Sequence, residues 1–141
     1  MKVRRQARAA ALQALYETDC AGHSPELALR QRIDEEELPA DGAEFARTLV
    51  AGVLEHRAAL DAIISKHAPE WPVDQLAAVD RNILRLALYE LMYMQDVPLK
   101  VAVNEAVELG KMFGSDTAPR FVNGVLGAFL QEHSAAELRK S

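Results

Sequence analysis

Between Asp80 and Met94 the chain reads DRNILRLALYELMYM. Ile83, Leu84, Leu86, Ala87, Leu88, Leu91 and Met92 cover more than one face of a helix. Such a segment cannot rest on a surface and must be surrounded by other helices. The rest of the chain supplies them. Helical spacing predicts a first helix over about Val3–Asp19, carrying Leu12, Leu15 and Tyr16 and ended near Gly22. Ser24-Pro25 reads as an N-cap with proline at the first helical position, opening a short helix to about Arg32. Asp41 and Glu44 have capping-box spacing and open a long third helix to about Lys66, with Phe45, Leu49, Val53, Leu60 and Ile64 along it. Further helices are expected over Lys100–Phe113 and from about Arg120 to Glu132, with a short turn over Val73–Ala77. No alternating β-branched run and no strand-turn-strand signal occurs. The expectation is an all-α fold of six to seven helices in two packed bundles.

The 141 residues fit one domain. Within it, HAPEWP places prolines on both sides of Trp71 and stops any helix. A hinge here gives an N-terminal half of about 1–68 and a C-terminal half of about 72–133, with Trp71 as an anchor packed between them. The acid run Asp34–Glu37 reads as a solvated turn, and the tail AAELRKS is expected to fray.

The residue inventory points away from catalysis. Cys20 is the only cysteine, so no internal disulfide forms. His23, His56, His67 and His133 lack metal-ligand spacing, and Glu105 with Glu108 lacks a following histidine for a di-iron site. There is no glycine-rich phosphate loop after a strand and no nucleophile motif. We therefore expect a binding protein, not an enzyme, with no metal and no cofactor. No apolar run approaches a membrane span, and the basic opening turns polar too soon for a signal sequence. A cytoplasmic protein without a membrane partner is expected.

The binding partner is suggested by charge. The chain carries 16 Lys and Arg against 21 Asp and Glu, a net −5. Yet it opens MKVRRQAR, with Lys2, Arg4, Arg5 and Arg8 and no acid; the remainder stands at 12 against 21. Cations at a helix N-terminus each forgo roughly 0.3–1 kcal/mol of dipole stabilisation. An external anion would offset that cost. Arg4 and Arg8 are i,i+4 neighbours beside Arg5, a fork-rich patch suited to phosphates. Four phosphate contacts to a single strand correspond to a log–log salt slope of about −3. That is weak for duplex DNA alone, so a short RNA, or RNA with a second partner, is the better match.

Three blocks then carry a resemblance: RRQARAAALQALY; VDRNILRLALYEL, preceded by Trp71; and VPLKVAVNEAVELGKMFG followed by APRFVNGVL. In order and spacing they resemble the NusB family of transcription antitermination factors over nearly the whole chain, while residues 20–42 match only in length and helical character. The resemblance implies a non-enzymatic, all-helical protein of two bundles. It binds boxA RNA together with the ribosomal protein NusE and serves the antitermination complex of RNA polymerase. The family's arginine-rich motif falls on Arg4, Arg5 and Arg8, with Lys2 alongside. Its RNA surface also includes Arg120, Phe121 and Asn123, with Lys100 and Lys111 extending a phosphate track if they are not simply solvated. Phe121 stacks on a base or packs in the core; Asn123 contacts RNA or braces its helix. The NusE surface falls on Tyr16, Asp74 and Asp80, although Tyr16 also fits a core position and Asp80 also fits an N-cap. Some members self-associate, so a homodimer is a further implied state. Related domains also precede RNA cytosine methyltransferases, leaving a stand-alone RNA-binding domain or a protein adaptor as the alternative. Gly110 stands where the family usually has alanine, a cost of about 1 kcal/mol in a helix interior, and Gly127 weakens the last helix similarly.

Overall fold

The computed structural model describes residues 2–139, with the side chain of Lys2 outside that description. Its elements are α1 (Lys2–Ala21), α2 (Pro25–Glu35), α3 (Ala40–Glu55), α4 (Arg57–His67), a 3-10 turn (Val73–Gln75), α5 (Ala78–Tyr93), α6 (Leu99–Phe113), α7 (Ala118–Glu132) and α8 (Ala135–Leu138). No strand occurs among the described residues. The all-α expectation holds. The chain forms two compact units that divide between Glu55 and His56, whereas the sequence suggests a hinge at HAPEWP.

In the first unit, α1 packs on both α2 and α3. Its contact face is small: Ala7, Ala10, Ala11, Ala14 and the larger Leu12 and Leu15 are buried, against Leu29, Ile33, Phe45, Leu49 and Val53. Alanines let the helices approach closely, and the buried leucines supply roughly 1.5–3 kcal/mol each. α2 starts as expected, with Ser24 Oγ accepting from the Leu27 amide and Pro25 in the first turn. α3 does not start as expected. It begins at Ala40, so Asp41 lies inside the first turn and accepts from the Gly42 amide instead of closing a capping box.

The single long third helix is replaced by α3 and α4, separated by His56 at φ −105° and ψ 16°. The stripe Phe45, Leu49, Val53, Leu60, Ile64 is buried on both sides of the break, so apolar spacing does not reveal it. In the second unit the His56 ring stacks on Tyr93 at 4.1 Å, a contact local spacing cannot report.

α5 is the centre of the second unit and packs on α4, α6 and α7. Residues 82–88 are all buried. Among them Arg85 is 3% exposed and donates to Asp61 of α4 through Nε and Nη2 at 2.7 and 3.0 Å. Its Nη1 donates to Asn82 Oδ1 at 3.1 Å, and Asn82 Nδ2 donates to the Ala78 carbonyl. A bidentate pair with its remaining donor satisfied is the geometry in which a buried charge is tolerated.

Gly110 does not merely weaken α6. A Cβ there would meet the Pro119 backbone at 3.3 Å, so the bare backbone lets α7 approach α6. The space beside Gly127 is open, and the cost expected there has no such offset.

The tail departs from expectation too. Ser134 and Glu137 form a complete capping box for α8. Arg139 donates to the carbonyls of Glu90, Leu91, Val97 and Leu138, and Gln95 Nε2 donates to the Leu138 carbonyl at 2.9 Å. Residues 134–139 are therefore fastened to the second unit instead of fraying. Lys140 and Ser141 lie outside the described residues.

Candidate nucleic-acid interface

The basic opening folds as the first turns of α1, with no acid among them. That turn is ordered by contact with α3. A Cβ on Gly42 would lie 2.7 Å from Val3 Cγ1 and push that side chain aside, so the bare backbone lets the two helices meet closely here. One turn further on, the arginines meet Phe45. The guanidinium carbon of Arg4 sits 4.3 Å from the centre of the Phe45 ring and that of Arg8 5.2 Å. Each is within cation–π range, worth about 0.5–1 kcal/mol when exposed and up to about 2 when desolvated.

The motif's members are not equivalent. Arg4 and Arg5 are exposed, whereas Arg8 is 4% exposed. Phe45 is thus a member of this site that spacing alone places in the core. A sequence shows the i,i+4 pair of arginines but not the ring from another helix beneath it. The side chain of Lys2 lies outside the described residues.

In the second unit, Arg120 and Asn123 are exposed on the first two turns of α7, and Phe121 is half-buried. Lys100 is exposed on the first turn of α6; Lys111 is exposed on its last turn and pairs with Glu108 at 3.0 Å. An exposed pair of this kind contributes about 0–1 kcal/mol and leaves the lysine available.

Among the residues expected to meet a protein partner, Tyr16 is 42% exposed on α1, so its position is not a core position. Asp74 is exposed on the 3-10 turn. Asp80 is not the N-cap of α5: the helix begins at Ala78, the N-cap is Ala77, and no side chain caps it. Burial pushes the Asp80 carboxyl above the usual carboxylate range.

Asp80, Arg120 and Phe121 line one open recess of about 530 Å³, together with Trp71 and Leu76. Residues assigned to two different partner surfaces by resemblance therefore meet in one place. Lys100, Lys111, Asp74 and Asn123 do not line it. Trp71 is 59% exposed, so the anchoring role expected of it is not what its side chain does. Among the described residues no group of three His, Cys, Asp or Glu side chains is placed to hold a metal, and no helix is long and apolar enough to cross a membrane.

The NusB family model matches residues 5–131. The transcription antitermination protein NusB of Roseiflexus sp. (strain RS-1) is 49% identical over 133 residues, covering 93% of this chain and 94% of that protein. The solved structure of T. maritima NusB superposes with a TM-score of 0.85 at 35% identity, covering 92% of each chain. A crystal structure of the antitermination factors NusB and NusE in complex with double-stranded RNA matches with a TM-score of 0.85 at 32% identity, covering 94% of this chain and 99% of that one. A match that spans almost the full length in sequence and in fold leaves one assignment: this chain belongs to the NusB family.

Proposed function

We propose that this chain is a cytoplasmic, non-enzymatic transcription antitermination factor. It binds boxA-type single-stranded RNA together with NusE and thereby supports the processive transcription of ribosomal RNA operons by RNA polymerase. The observation that carries the RNA reading is the ordered, acid-free first turn of α1, which keeps Arg4 and Arg5 exposed in a chain of net charge −5. In this reading Arg4 and Arg5 meet phosphates directly, with Lys2 beside them. Arg8 braces them from below through the ring it shares with Arg4. Arg120, Phe121, Asn123, Lys100 and Lys111 serve the RNA from the second unit. Tyr16, Asp74 and Asp80 face NusE; acidic groups suit a basic ribosomal protein, and opposite fields speed encounter.

The test is an anisotropy titration of labelled boxA RNA, with a scrambled single strand and a duplex as controls, with and without NusE, at two salt concentrations. Preference for boxA, strengthened by NusE and weakened by salt with a log–log slope of about −3, supports the reading. Arg4→Glu with Arg5→Glu is the informative variant, since both side chains are exposed: RNA affinity should collapse while the thermal midpoint falls only slightly, through loss of the Arg4 contact with Phe45. Equal weak binding to every RNA, unchanged by NusE, would sink it.

A further inference from the structure

The exposure of the one tryptophan is not accounted for by any contact so far described. Trp71 lies between Pro69 and Pro72, just before the 3-10 turn. That turn is fixed by backbone bonds from Gln75 to the Pro72 carbonyl and from Leu76 to the Val73 carbonyl. It is also clamped to α5, where Arg81 Nη1 donates to the carbonyls of Asp74 and Leu76 at 3.1 and 3.0 Å. The turn that follows the indole is thus held by hydrogen bonds, while the indole itself stays 59% exposed. Tryptophan is enriched where proteins meet partners, because one large ring offers both an apolar face and a donor.

What it faces narrows the ligand. Trp71 shares its recess with Phe121, Asp80 and Arg120. The volume, about 530 Å³, is within the range of small-ligand sites. The Asp80 carboxylate disfavours a phosphate in the recess, and the Arg120 guanidinium disfavours a cationic side chain. Two aromatic rings with one charge of each sign instead suit a flat, neutral heterocycle that carries both donors and acceptors on its edge. In RNA that group is an unpaired base, whose edge is read by polar side chains while its face stacks on aromatic ones.

We propose that the recess holds one unpaired nucleobase of the bound RNA, and that Trp71 is a stacking platform for it opposite or beside Phe121. This rests on the RNA-binding reading above. It adds to that reading a base-binding residue and a place where sequence, not only charge, is sensed.

Because Trp71 is the only tryptophan, its emission reports on this site alone. The full-length protein is titrated with the boxA single strand and with the same strand carrying abasic positions, and binding is followed in parallel by anisotropy. Stacking quenches Trp71 emission with the intact strand, and the quenching is lost at one abasic position, with an affinity loss of the same size as that of Trp71→Ala. Trp71→Ala lowers affinity by roughly 5- to 150-fold, the loss associated with one stacked base, and Trp71→Phe restores most of it. The wild-type emission needs no variant to fold. RNA bound by anisotropy with wild-type emission unchanged overturns the proposal while leaving RNA binding intact. Emission that responds to NusE alone and not to RNA also overturns it, and makes the recess a protein contact. No binding of any RNA removes the underlying reading as well.

Discussion

Near the N-terminus, Arg4 and Arg5 lie exposed on the first turns of α1. At the other end, Arg139 turns its guanidinium on to the carbonyls of Glu90, Leu91, Val97 and Leu138, and in the core of the second unit Arg85 grips Asp61 with two nitrogens. In sequence all of these arginines belong to helical or near-helical segments. The difference is made by what the fold brings to each one. Carbonyls left over where α5 ends and before α6 begins converge on Arg139, and a carboxylate from α4 converges on Arg85. Against Arg4 the fold places the face of an aromatic ring, 4.3 Å from the guanidinium carbon. Arginines matched to internal acceptors hold the second unit together, whereas Arg4 and Arg5 stay exposed on the first unit, as groups that meet an outside anion must.

That contrast has a sharp test in the core. Arg85→Ala takes from Asp61 its bidentate donor, leaving it the looser pair with Arg57 at 3.9 Å, and takes from Asn82 Oδ1 the bond at 3.1 Å. Removing one member of a buried pair costs about 3–5 kcal/mol, and since Asp61 retains 27% side-chain exposure the lower end is expected. Urea unfolding should show it as a lower midpoint. If RNA affinity fell while the midpoint stood still, Arg85 would belong with the arginines of α1. Arg139→Ala should be milder. It removes charge-assisted bonds to neutral carbonyls and strands no charge, for a loss of about 1.5–3 kcal/mol. Hydrogen exchange should rise over residues 134–139 first, with RNA binding unchanged. Rapid exchange there already in the wild type would mean that Arg139 fastens nothing.

The same spacing could mislead or inform. Asp41 and Glu44 read as a capping box and are not one, because α3 begins at Ala40, two residues before an Asp41 cap would start it. Ser134 and Glu137 have the same spacing and do form one, in a segment whose composition suggested fraying. The helices were legible because each buries one stripe at a period near 3.6, and α5 because it buries more than a stripe. The break at His56 was not, since the stripe continues across it and no proline or glycine marks it. Of the candidate site, the charge of the α1 turn was legible from counting alone. That Arg8 is buried, that Phe45 lies beneath the arginines, and that Trp71 is exposed beside Phe121 all depend on contacts between residues far apart in sequence. No local pattern encodes them. The glycine at 110 shows the same limit from the other side, a propensity cost whose offset is the backbone of Pro119.

The finest test concerns Asp80, an acid retained where burial opposes its charge. Burial raises its carboxyl above the ordinary aspartate range. The folded state therefore holds the proton more tightly than the unfolded one. Stability contributed by this group is full at pH below about 3.8 and declines as pH rises through the folded pKa, remaining reduced at neutrality. Glu132 runs the other way: the hydrogen bond from Lys66 at 2.8 Å holds it below its usual range, so its contribution is present at neutral pH and lost on acidification. The wild-type profile mixes the two, and Asp80→Asn separates them. The variant should match the wild type in thermal midpoint at low pH and exceed it slightly above the folded pKa, with the gap opening only across that window. A gap of constant size at every pH would show that the carboxylate's charge is not what matters. If the gap opens as expected while NusE affinity drops, the chain keeps at Asp80 a charge that its own fold disfavours and its partner uses.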